Sequence, residues 1–210
     1  MSSVQHATTV DHPQTSTGID NRKLLMWLFL ASECLFFGGF IGTYLLYRDR
    51  NETAPFPTDR TVDGVTYDGL FDIPFTSVSA FVLLMSSVSM VLALAAIQRN
   101  NRRGLQIWLM CTALLGMTFL AGQAFEFTEF YHQGLTLHSN LFGTTFFVLT
   151  GFHGAHVSVG VIILLSLYVM AGRGRLTHRN SLNVELAGLY WHFVDVVWIV
   201  IFTLVYLIQS

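Results

Sequence analysis

The chain has 210 residues, of which 52% are hydrophobic and 11% charged, with 18 phenylalanines and a mean hydropathy of +0.53. That composition excludes an ordinary soluble domain, and a net charge of −2 gives no footing for nucleic acid. Cys34 and Cys111 both lie in apolar stretches, where they read as small packing residues and not as a disulfide or metal site.

Residues 1–21 are polar and lack the short apolar core and small-residue cleavage site of a secretory signal. They read as a flexible cytoplasmic tail ahead of one membrane domain, 22–210. Five apolar segments follow, at 24–47, 75–97, 105–127, 141–170 and 184–208. Each is long enough to cross a bilayer as a helix, at about 20 residues per crossing. The expected fold is therefore all-α, an integral membrane bundle of five transmembrane helices. Lys and Arg divide eight to three between its two ends: Arg22, Lys23, Arg99, Arg102, Arg103, Arg173, Arg175 and Arg179 against Arg48, Arg50 and Arg60. By the positive-inside rule the N-terminus is inside and the C-terminus outside. The acidic, Pro- and Gly-containing stretch 49–73 is then the one sizeable outer loop.

Every apolar segment carries something polar. The first has Glu33, about nine residues in, or roughly 13 Å at the rise of a helix. The third ends in Gln123, Glu126, Glu129 and His132, spaced three apart, and the last three of these read as a solvated helix end at the outer mouth. The fourth has His153 and His156 in TGFHGAHVSVG, among small residues that let helices approach closely. The fifth has His192 and Asp195, three apart on one helical face and able to satisfy each other or a shared neighbour. Trp191 and Trp198 flank them on one side. An ionisable group at such depth costs roughly 2.5–3.5 kcal/mol or more unless it is paired or faces protein, so these residues belong inside a membrane complex. With both end helices starting inside, Glu33, His153, His156, His192 and Asp195 fall near one level. For the histidines, hydrogen-bonded packing is favoured over metal ligation, and neither a metal site nor a catalytic residue is expected.

Three stretches resemble subunit III of the haem-copper terminal oxidases, the cytochrome c oxidase subunit III family. They are LASECLFFGGFIGTYLLYR at 30–48, LFGTTFFVLTGFHGAHVSVGVIILL at 141–165 and LYWHFVDVVWIVIF at 189–202. Glu185, seven residues before His192, also matches a position that the family often fills with Glu. The chain resembles the shorter bacterial five-helix form, lacking the first two of seven helices.

The resemblance implies an accessory subunit of a proton-pumping oxidase that reduces oxygen in aerobic respiration, in the bacterial plasma membrane. It implies haems and copper in subunits I and II and none here. Direct packing on subunit I is expected, with subunit II and a small subunit IV nearby, and bound phospholipid. Glu33, His153, His156, Glu185, His192 and Asp195 are the intramembrane polar residues it singles out, for structure or proton handling. Arg173, Arg175, His178 and Arg179 fall where head-group contacts are expected, and His6 and His12 in the tail resemble histidines near a proton entrance.

The electron donor stays open between cytochrome c and quinol, and homologues associated with nitric-oxide reductase are a further reading. From other classes, Glu129-Phe-Tyr-His132 has the Glu-x-x-His spacing of a di-iron oxidase but no second copy. A free-standing b-type cytochrome would need paired axial ligands on facing helices.

Overall fold

The computed structural model describes residues 20–48, 56, 60–62, 65–67, 69, 71–177 and 180–208. Five long helices dominate them: α1 (Asn21–Tyr47), α2 (Ile73–Gln98), α3 (Arg102–His132), α4 (Leu141–Gly172) and α5 (Ser181–Phe202). All five are long and apolar enough to cross a membrane. Two short strands, β1 (Arg60–Val62) and β2 (Val65–Tyr67), pair antiparallel in the loop between α1 and α2, a hairpin the sequence reading did not foresee. The last helix does not stop at Phe202 but widens into a π-helical turn, Thr203–Leu207.

The helix starts are written in side chains. Asp20, Asp72, Asn101 and Asn140 each accept a hydrogen bond from a first-turn amide, satisfying donors that a helix start leaves unpaired. α3 and α4 end at glycines with positive φ, Gly134 and Gly174, where a side chain would strain the backbone. After each, an amide reaches back to close the last turn: Leu135 N–H donates to the Phe130 carbonyl and Arg175 N–H to that of Met170. These caps explain why α3 and α4 outrun the apolar segments 105–127 and 141–170. Hydropathy marks the stretch inside lipid, whereas the helices continue into the polar zone beyond it.

α4 and α5 are central. α4 packs against α1, α3 and α5, and α5 against α1, α2 and α4, while α2 and α3 pair with each other. α1 is peripheral. Only 11% of its most apolar stretch is buried, against 50% for the last span, so its surface is mostly uncovered. The connections put Arg22, Lys23, Arg99, Arg102, Arg103, Arg173 and Arg175 at one end of the bundle. Across that end, Lys23 Nζ lies 2.5 Å from the Glu185 carboxylate, and Arg102 donates to the Ala171 and Gly172 carbonyls that finish α4.

Candidate functional site

Along α5, residues four and three apart share a face. Trp191, Asp195 and Trp198 lie on the buried one, at 1%, 4% and 2% exposure. Trp191 is the point where four helices meet. Its indole N–H donates to Ser86 Oγ of α2 at 2.8 Å. A Cβ on Gly116 of α3 would come within 2.6 Å of the ring, and one on Gly160 of α4 within 2.8 Å. Those two positions carry glycine because the indole fills the space.

One turn on, Asp195 Oδ2 accepts a hydrogen bond from Ser87 Oγ of α2 at 2.6 Å. Of the partners the sequence left open for Asp195, His192 or a neighbour, the carboxylate takes a neighbour on another helix. His192 stands half-buried beside the carboxylate as an electrostatic neighbour.

The two histidines of α4 face different helices. His153 is fully buried, and its Nε2 lies 3.1 Å from the Val194 carbonyl of α5. A carbonyl only accepts, so Nε2 carries the proton. Trp198 stacks on the imidazole with centroids 4.9 Å apart, and Phe119 meets both rings edge-on. His156 turns instead to α1. Its Nε2 is 3.2 Å from a Glu33 carboxyl oxygen, close but not aligned as a hydrogen bond, while Nδ1 donates to the Phe152 carbonyl one turn back. Phe36, Phe37 and Phe152 surround the pair, and Tyr190 of α5 donates to the His156 carbonyl at 3.0 Å. The structure therefore brings Glu33 and His156 together, with His153 and Asp195 held separately.

Glu185 is at the basic end, paired with Lys23 and seven residues, about 10 Å, along α5 from His192. Arg173 and Arg175 are exposed at that same end. His178, Arg179, His6 and His12 lie outside the described residues. Among the described residues no group of three or more His, Cys, Asp or Glu is placed to hold a metal ion.

One residue departs from its reading as a solvated helix end. Glu126 is 7% exposed, accepts a hydrogen bond from Thr76 Oγ1 of α2 at 2.8 Å, and is hydrogen-bonded to the Tyr206 hydroxyl. Since α3 runs on to His132, Glu126 sits more than a turn inside the helix end. Glu129 and His132 are exposed as expected, with Glu129 accepting from Gln133. Thr76 and Tyr206 were missed; only the capping Asp72 four residues before Thr76 hinted that α2 begins level with Glu126.

Five helices long and apolar enough to cross a membrane, joined by buried polar side chains, define a multi-pass membrane protein. The chain belongs to the cytochrome c oxidase subunit III family, whose profile matches residues 3–210. It is 40% identical over 190 residues to "Cytochrome c oxidase subunit 3" of Synechocystis sp., covering 90% of this chain and 76% of that one. It is 34% identical over 202 residues to "Probable quinol oxidase subunit 3" of Staphylococcus saprophyticus, covering 96% and 95%. To "Quinol oxidase subunit 3" of Bacillus subtilis it is 35% identical over 194 residues, covering 92% and 90%. The chain is thus an oxidase subunit III and a membrane protein that associates with an oxidase complex.

Proposed function

We propose that this chain is the non-catalytic subunit III of a proton-pumping terminal oxidase that reduces oxygen to water. It packs on subunit I, with subunit II and a small subunit IV completing the complex in the bacterial plasma membrane. Haems and copper belong to subunits I and II. The role of this chain is to stabilise the core, hold phospholipid and sustain proton uptake.

The observation that carries the reading is the use to which its polar groups are put. Asp195, His153 and Glu126 each engage a group on another helix, which is the use a packing subunit makes of buried polar side chains. Meanwhile α1 leaves Leu25, Trp27, Leu28 and Leu35 exposed, surface for lipid or a larger partner. The electron donor we assign is cytochrome c, from the wording of the α4 and α5 motifs. Relatives named for quinol oxidases make quinol the rival.

The test is purification of the tagged chain under mild detergent, with an optical spectrum and peptide identification. Haem bands arriving with a large polytopic subunit, and staying with that subunit when this chain is stripped away, are expected. Haem retained by the stripped chain, or no such partner, overturns the proposal. A copper-bearing subunit II in the preparation identifies cytochrome c as the donor, and its absence identifies quinol.

A further inference from the structure

At the basic end of the bundle a groove runs along the outer side of α3 beside α4. Its volume is about 710 Å³, within the range of small-molecule sites. Its lining starts with Arg103 and Gln106 at the basic end, continues along α3 through Met110, Cys111 and Leu114, and includes Tyr168 of α4. From Arg103 to Thr118, its deepest residue, is fifteen residues, or about 22 Å of helix. That covers a head-group zone and one leaflet of a hydrocarbon core about 30 Å thick. The deep end is apolar in effect, because Thr118 spends its hydroxyl on the Leu114 carbonyl.

We propose that this groove binds one anionic phospholipid, its phosphate at Arg103 and an acyl chain laid along α3 toward Thr118. The charges at the basic end fit that occupant. Arg102 is committed to the Ala171 and Gly172 carbonyls, covering the negative end of the α4 dipole that would otherwise repel a phosphate. Arg103, next to it, has no ion pair or side-chain hydrogen bond among the described residues and is exposed. The groove lining includes no Asp or Glu. Gln106 adds an amide donor, its Nε2 near Gly172. Tyr168 stands about a turn from the end of α4, the depth at which tyrosine suits a membrane interface.

The walls argue against a partner helix. Helices in membranes approach through small residues, and Ile107, Met110, Leu114 and Leu115 are long and conformable. The small-residue face is elsewhere, on α1, where nothing stands within 4 Å of Cβ positions at Gly38, Gly39 and Gly42. This site deepens the lipid-binding part of the proposed function but rests only on α3 and α4 crossing a bilayer.

The test uses the complex purified through the tagged chain and reconstituted into phosphatidylcholine vesicles. Each sample carries a trace of phosphatidylglycerol or phosphatidylcholine bearing a photoactivatable diazirine on the acyl chain, and adducts are mapped by peptide mass spectrometry. We expect the phosphatidylglycerol probe to label 110–118 and Tyr168 several-fold more than the phosphatidylcholine probe does. Arg103→Gln should remove most of that preference, and Leu114→Trp, which fills the groove, should remove the label itself. Should Leu114→Trp fail to assemble, the surface variant Arg103→Gln still decides. Equal labelling by both probes, an unchanged preference in Arg103→Gln, or a groove cross-linked to another polypeptide and closed to both probes would each overturn the site. Co-purification of haem, read on the same sample, reports separately on the oxidase assignment.

Discussion

Trp191 joins α5 to Ser86, Gly116 and Gly160 on three neighbouring helices. Trp191→Ala removes a fully buried indole and should cost about 3–5 kcal/mol. Trp191→Phe keeps much of the volume and loses one buried hydrogen bond, a net cost of about 1 kcal/mol plus imperfect filling. Thermal unfolding of the detergent-solubilised complex should rank wild type, Phe and Ala in that order. A Phe variant as unstable as Ala would show that the hydrogen bond, not the volume, matters.

Asp195→Ala leaves Ser87 without its acceptor and should loosen α2 from α5. The expected result is loss of the subunit on detergent washing, with a normal initial oxygen-consumption rate in complexes that retain it. Glu33→Gln keeps the shape beside His156 and should likewise leave initial turnover intact, since no redox centre is assigned to this chain. An assembled Glu33→Gln complex starting near zero rate would defeat that assignment. Asp195, His153 and Glu33 were legible in sequence because a polar group inside a hydrophobic run stands out. Ser86 and Ser87 were not, because a serine among apolar residues satisfies itself on its own helix as readily as on another. Glu126 was misplaced because the apolar segment seemed to end there, while the helix went on.

Hydropathy found all five helices, while caps, not hydropathy, mark the starts of α1 to α4 and the ends of α3 and α4. What no periodicity could reveal is the π-helical turn. A regular helix continuing from Trp198 would bring Val205 back to the buried face and carry Tyr206 away from it. The wider turn lets both consecutive residues lie in the bundle, each at 1% exposure. Tyr206 then reaches Glu126 and packs on Phe71 with centroids 4.5 Å apart, while the Ile208 carbonyl accepts a hydrogen bond from Arg48 at the end of α1. The π-helical turn thus fastens α1 and α3 at the end opposite the basic cluster. Tyr206→Phe removes the hydroxyl from a buried carboxyl group, costing about 1–3 kcal/mol. The measurable outcome is a lower midpoint of thermal unfolding and faster proteolysis of the last turn, with haem content of the complex unchanged. A midpoint equal to wild type would mean that Thr76 alone satisfies Glu126.

For the whole molecule, the sequence offered a charge count and the fold turns it into geometry. Seven described Lys and Arg residues gather at one end, with Arg48 and the backbone of Arg60 at the other. By the positive-inside rule we expect such a bias to put the basic end in the cytoplasm and the β1–β2 hairpin outside. Two of those basic residues also hold the bundle together, Lys23 on Glu185 and Arg102 on the end of α4, so the charges that the positive-inside rule counts have packing partners as well. The orientation is tested in a chain with Cys34 and Cys111 replaced by serine and a single cysteine added at an exposed position. Thr66→Cys in the hairpin should react with a membrane-impermeant maleimide on intact spheroplasts. Arg173→Cys, at the basic end, should react only after permeabilisation. The reverse pattern would invert the bundle and put the lipid groove in the outer leaflet. Because the anion site needs Arg103 and not a particular side of the membrane, a reversed orientation would leave phosphatidylglycerol selectivity intact and change only the leaflet that supplies it.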